Sequence, residues 1–584
     1  MHHALLVPDI LDHIFAFIKA DSQQISRRTF AALARTCSAL SDASLDALWS
    51  ELRSLYPLVS CIYDTNMKLN DEDTLETNTD AGPDLTVFNK YAYRVHKVEL
   101  SGYEGGWRAT AVPDDLGVFH VLRIPTPLLP NLTHLAWTDE LSLALLWPLL
   151  NPRLLSLRIS SFQWNPKSTP LLLSKIRGLC PELNTLGLLF YLSEGYEAIA
   201  ESFLSRVICS WKKLEVLDYS PVGCECILNL SALSCLRILR LRVDNISDLN
   251  LPTNSLSFPS LHTLQFQANS LATANSILQA MRTLPKSIDI FLPVYRSGDV
   301  GVDTVEPILQ PISQNVSCGN LEEFRLNVPA FLSSGALNGS NVLRPLFLCC
   351  NLRVLRIMMT PLFLLVDDDL RAMASAWPLL EELELFDCRN LYPPVPPQPL
   401  PIMDLPGDDD DDDNDLPPVP PLPVGLPPVQ PLPVGLPPIP PFGIMGPMMS
   451  LHLDATASFQ DFNMVRSTRT PEITFHGLIS LLELCPNLRF FNLAIDATKL
   501  DGLRNDKPGG GVCNRLVKYP RLVDSHISDP EAVARILLDI LPELETIWGE
   551  GSPGPFTAMF SSTLPQGWDE VHRKMLDSKA AQRL

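Results

Sequence analysis

Five arginines, Arg158, Arg240, Arg242, Arg325 and Arg356, alternate with apolar residues inside a short phrase that recurs along this 584-residue chain. A guanidinium is a planar fork of N–H donors that meets a carboxylate or phosphate in two parallel bonds. A row of such forks on one surface is chemistry for holding an acidic or phosphorylated segment of a protein partner. The same phrases carry Glu323, Glu382 and Glu384. Neighbouring strands could therefore neutralise one another, Arg325 or Arg356 with Glu323 or Glu382, leaving no net patch. Ion-pair ladders of this kind are common on ribbons and exposed pairs contribute little energy, so internal pairing is the expected outcome.

Other chemistry finds no support in spacing. Cys224 and Cys226 have no second pair at zinc-site distance, and Cys349 and Cys350 are adjacent. The eleven histidines contain no His-Glu-x-x-His pair. Gly509 to Gly511 lacks the Gly-Lys-Ser/Thr ending of a phosphate loop, and no Gly-x-Ser-x-Gly elbow occurs. The chain is expected to be neither an enzyme nor a holder of a metal or cofactor.

The arginines require strands to align them. Leu-x-x-Leu-x-Leu phrases stand at LLSLRI (154–159), LNTLGL (183–188), LEVLDY (214–219), LRILRL (236–241), LHTLQF (261–266), LEEFRL (321–326), LRVLRI (352–357), LEELEL (380–385) and LRFFNL (488–493), with fainter starts at VHKVEL (95–100) and LTHLAW (132–137). From 154 to 261 they are 29, 31, 22 and 25 residues apart; after a blurred unit near Ile288 the spacings are 31 and 28. These periods belong to leucine-rich repeats, slightly stretched. Apolar residues two apart share one face of a strand. Between phrases the spacing turns helical, as at Ile199, Phe203, Leu204, Val207 and Ile208. The expected fold is α/β, a solenoid with a curved parallel β-ribbon inside and helices outside, each unit covering its neighbour's leucines.

Ahead of the ribbon, LLVPDILDHIFAFI and RRTFAALARTCSALSDASLDALW read as three short helices, the first starting near Pro8, the second over 27–37 and the third over 42–49. This segment resembles the F-box family, whose opening Leu-Pro-x-Glu-Ile-Leu-x-x-Ile-Phe pattern is met by Leu6, Asp9, Ile10, Leu11, Ile14 and Phe15, with Pro8 one place beyond the proline position; Cys37 and the pair Leu48–Trp49 meet its later signatures. FNKYAYRVHKVEL (88–100) looks like the joining segment of the expanded F-box families of mushroom-forming fungi. The resemblance implies the substrate-recognition subunit of a Skp–cullin–F-box ubiquitin ligase. Its adaptor-binding residues would be Leu6, Pro8, Ile10, Leu11, Ile14, Phe15, Cys37 and Trp49. The concave ribbon would hold the substrate. The alternatives are a helical cap on the solenoid and a repeat scaffold without ligase contact.

The expected divisions are an F-box-like unit at 1–60, an acidic linker at 61–84, repeats at 85–392, an insertion at 393–450, further repeats at 451–550 and a tail at 551–584 in which a helix is one option. The insertion holds the repeated LPVGLPP phrase and the Asp408–Asp413 run, and proline at that density prevents helix and ladder alike. Net charge of −21 disfavours a general grip on nucleic acid or anionic lipid. Asp9 and Asp12 interrupt any secretory core, no apolar stretch reaches the roughly 20 residues of a membrane span, and the thirteen cysteines show no framework. A cytoplasmic or nuclear location is expected. If the aspartate run folds back on the arginines, deleting residues 404–415 strengthens partner binding at low salt; an unchanged affinity removes that idea.

Overall fold

The computed structural model describes residues 7–20, 23–69, 75–77, 85–100, 126–138, 143–191, 195–220, 223–243, 249–292, 306–328, 337–338, 340–359, 363–387, 471–503, 507–522, 525–547 and 567–583. The insertion at 393–450 lies outside them, as does Leu6.

Alternating apolar residues become one parallel sheet of thirteen strands in which spatial order is chain order. The strands are β1 Glu51–Leu52, β2 Lys97–Leu100, β3 His134–Thr138, β4 Ser156–Gln163, β5 Thr185–Tyr191, β6 Val216–Tyr219, β7 Ile238–Arg242, β8 Thr263–Gln267, β9 Ser287–Phe291, β10 Glu323–Val328, β11 Val354–Met359, β12 Glu382–Asp387 and β13 Phe490–Asn492. Parallel neighbours need a crossover. Helices supply many of these, among them Thr169–Leu179, Glu197–Ile208, Leu271–Ala280 and Glu306–Gln314.

Register places equivalent phrase positions side by side. Leu186, Leu217, Leu239 and Leu264 are consecutive neighbours across four strands, and each is buried. Full burial of such a side chain contributes about 1.5–3 kcal/mol, but only when the next unit covers it. The unit near Ile288 is a regular member, β9, because its alternation (Ile288, Ile290) matches the neighbours although it lacks the full phrase. Both fainter starts are strands as well.

A second tie recurs at several junctions, three residues before the phrases at 154, 214 and 380 and again at Asn514, where a buried donor reaches a carbonyl of the preceding unit. Asn151 Nδ2 donates to Leu132 O at 3.0 Å, Trp211 Nε1 to Cys180 O at 3.1 Å, Trp377 Nε1 to Leu346 O at 3.0 Å and Asn514 Nδ2 to Leu488 O at 3.0 Å. Each brings a donor to a carbonyl at the end of a helix or turn; Leu346 O also accepts from the Cys349 N–H at 2.9 Å.

Beyond the insertion, the chain re-enters beside the unit it left. Asp367 opens the helix Asp367–Ala376, and its carboxylate accepts from the Thr474 N–H at 2.7 Å and the Thr474 hydroxyl at 2.6 Å. The next helix, Phe475–Leu484, packs against it, and β13 pairs with β12. Gly477 sits so close that a Cβ there would fall 2.3 Å from Asp367 Oδ1. Asp367→Ala is expected to destabilise this junction by about 1–3 kcal/mol, the scale of charge-assisted bonds, read as a lower thermal midpoint.

The ends depart from expectation in detail. The sheet starts at Glu51, inside the segment assigned to the helical unit, because two residues suffice to pair with Lys97 and Val98. The segment assigned as linker completes a helix, Tyr56–Asn66, and contributes an antiparallel pair, Met67–Leu69 with Leu75–Thr77. In the tail, the helix Trp568–Arg583 covers Pro530–Ile540, burying Trp568, Val571 and Met575.

Candidate functional site

Two surfaces present side chains without an internal role. The first lies on the amino-terminal helices α1 Pro8–Ala20, α2 Gln23–Thr36 and α3 Ser38–Trp49. The second and third helices start earlier than the sequence suggested. Phe15 is buried, its ring edge-on to Phe30 at 5.2 Å, which fastens α1 to α2. Trp49 is half-buried and stacks on Tyr91 at 4.3 Å. Arg94 donates to Asp42 at 2.9 Å and to Asp46. Stack and ion pairs together fix the helical unit to the start of the sheet.

The expected adaptor-binding set is thereby divided. Phe15 is buried and Trp49 half-buried, each large ring packed on an aromatic partner within the fold. Cys37 is half-buried in extended backbone just before α3. Pro8 opens α1, where its missing N–H costs nothing. Leu11 and Ile14 are half-buried, and Ile10 is 40% exposed. The residue that sequence reasoning missed is Phe17, 84% exposed. Val7, Ile10, Ile14 and Phe17 follow the i, i+3, i+7, i+10 spacing of one helix face. Continuing the sequence stripe by one turn would have included it.

The second surface is the open face of the sheet. One register row crosses twelve strands as Glu99, Ala136, Arg158, Gly187, Asp218, Arg240, Gln265, Asp289, Arg325, Arg356, Glu384 and Asn492. Its charges largely alternate. Arg325 donates to Glu323 at 2.7 Å, and Arg356 reaches Glu382 at 2.6 Å and Glu384 at 3.5 Å. Arg521 stands 3.8 Å from the other oxygen of Glu384, which is nearly buried. Burial pushes the Asp289 carboxyl above its ordinary value, opposed by Arg325 and Arg356.

Arg158 behaves differently. Its guanidinium spans a whole strand to come within 3.7 Å of Asp218. It can do so because Gly187 lies between them with no side chain: a Cβ there would fall 2.8 Å from Arg158 Cγ. Arg240 is left with a neutral partner, its Nε donating to Gln265 Oε1 at 2.7 Å, while the Gln265 amide donates to Asp289 at 3.5 Å. Arg242, one step further along β7, is exposed and has no polar partner among the described residues. The five arginines thus separate into three neutralised by carboxylates and two that are not.

Among the described residues no group of three His, Cys, Asp or Glu could hold a metal, and no helix is long and apolar enough to cross a membrane. Fold and surfaces define a mixed α/β protein built on one long parallel sheet with one packed and one open face. No known protein family and no curated protein matches the chain.

Proposed function

We propose that this chain is a leucine-rich-repeat solenoid led by an F-box-like unit, and that it acts as the substrate-recognition subunit of a Skp–cullin–F-box type ubiquitin ligase. The helices α1–α3 dock a Skp-type adaptor, and the open sheet face holds the protein to be modified. The observation that carries the reading is the apolar stripe Val7, Ile10 and Phe17, left uncovered on a helical unit that is itself tied to a repeat ribbon by Trp49 and Arg94. An exposed phenylalanine flanked by aliphatic residues is the composition of an interface anchor. The role is one of binding rather than catalysis, so neither metal nor cofactor belongs to it. Co-expression with a Skp-type adaptor tests it: the two are expected to co-purify in a one-to-one complex, and a chain that folds yet never retains the adaptor would falsify the proposal.

The second reading, a repeat scaffold without ligase contact, draws support from Phe15 and Trp49. Two residues of the F-box pattern serve packing here, as they would in a plain helical cap. Under that reading the adaptor is not retained, while partner binding by the sheet face survives.

A further inference from the structure

We infer that Arg240 and Arg242 form the oxyanion-binding point of the sheet face, taking acidic or phosphorylated side chains from an extended segment of the partner. This deepens the proposed function and rests on its reading of the open face as the partner-holding face.

Local neutralisation selects these two. Arg325 and Arg356 are held by Glu323, Glu382 and Glu384, so an incoming anion would have to displace a carboxylate already in place. Arg158 is drawn away toward Asp218 across Gly187. That contact has a second effect. Asp218 is the register neighbour of Arg240, and its engagement with Arg158 leaves Arg240 facing a carbonyl oxygen of Gln265 instead of a carboxylate. Arg240 uses only Nε for that bond. Its two terminal nitrogens have no partner among the described residues, and neither has the Arg242 guanidinium.

Spacing suits an extended ligand. Arg240 and Arg242 lie two residues apart on one strand face, roughly 7 Å at the usual strand rise. Alternate side chains of an extended peptide repeat at the same interval, so two acidic groups at i and i+2 can meet the two forks together. The register neighbours on β8, Gln265 and Gln267, carry no charge to oppose them.

Fluorescence anisotropy on the full chain tests the site with three labelled octapeptides: alternating glutamate and serine, the same with every serine phosphorylated, and a control with glutamine in place of glutamate. The acidic peptides are expected to bind, more weakly as salt rises, and the control to show no measurable binding. Arg240→Gln combined with Arg242→Gln should weaken binding at least tenfold, whereas Arg325→Gln combined with Arg356→Gln should change it less than threefold. Gly187→Ala should weaken binding severalfold without touching either arginine, because the new methyl displaces Arg158 and releases Asp218 toward Arg240. A tenfold preference for the phosphorylated peptide assigns the site to phosphorylated partners, and parity assigns it to carboxylates; both uphold it. Undiminished binding in the Arg240/Arg242 double variant, or an equal loss in the Arg325/Arg356 double variant, overturns it. Adaptor co-purification, measured on the same preparations, reports separately on the ligase reading.

Discussion

Replacing Ile10 and Phe17 together by aspartate is expected to abolish co-purification with a Skp-type adaptor while leaving the fold intact. Phe17 is 84% exposed, so little of it contributes to folding. Ile10 is also exposed, and both substitutions leave the Phe15–Phe30 contact in place. In a complex the two side chains would move from water into an apolar surface, a contribution of about 1.5–3 kcal/mol each. Losing both corresponds to roughly a hundredfold or more in affinity, and the buried carboxylates add a desolvation cost. The measurement is a pull-down beside a thermal melt. A melt within about 2 °C of the parent and no retained adaptor is the expected pair of results; full retention of the adaptor sinks the docking model. Phe15→Ala should behave in the opposite way, lowering the melt first, because it empties an internal aromatic contact.

That contrast shows where sequence reasoning reaches its limit. The stripe on α1 was legible from spacing, but the division of its aromatic residues between inside and outside was not. Phe15 and Phe17 differ only in which neighbours the second and third helices bring, and that is decided by tertiary packing. The sheet was legible because period-two alternation fixes which side chains share a face, and Arg158, Arg240, Arg325 and Arg356 fall in one register row with Arg242 two residues beyond Arg240 on the same strand. β1 escaped because two residues carry no period. The fate of the arginines was half legible. Pairing of Arg325 and Arg356 with glutamates follows from charges at neighbouring phrase positions, whereas the long reach of Arg158 depends on a glycine one strand away. LNTLGL did hold a signal, since a glycine at an outward strand position marks close approach by another group.

Trp377→Ala is expected to be the most damaging single change in the repeat array. The indole is fully buried, lies edge-on to Phe347 at 5.4 Å, and donates to Leu346 O at 3.0 Å. Truncating a buried tryptophan costs about 3–5 kcal/mol through lost transfer energy and the cavity left behind. Loss of the bond to Leu346 O, which keeps only its Cys349 N–H donor, adds to this. Because each unit touches chiefly its neighbours, the damage should divide the array at this junction rather than lower its stability evenly. Thermal or urea unfolding should then change from one transition to two, the strands beyond β11 melting first. A finer comparison isolates the hydrogen bond. Trp137 is also buried, yet its Nε1 has no acceptor among the described residues. Trp→Phe removes the N–H at either site with a similar loss of volume. At 377 it removes one of two donors to Leu346 O, which keeps the Cys349 N–H at 2.9 Å, while at 137 it removes an unsatisfied donor, so Trp377→Phe should destabilise by about 1 kcal/mol more than Trp137→Phe. Equal losses would mean that the cross-unit bond contributes nothing and that packing alone holds the units in line.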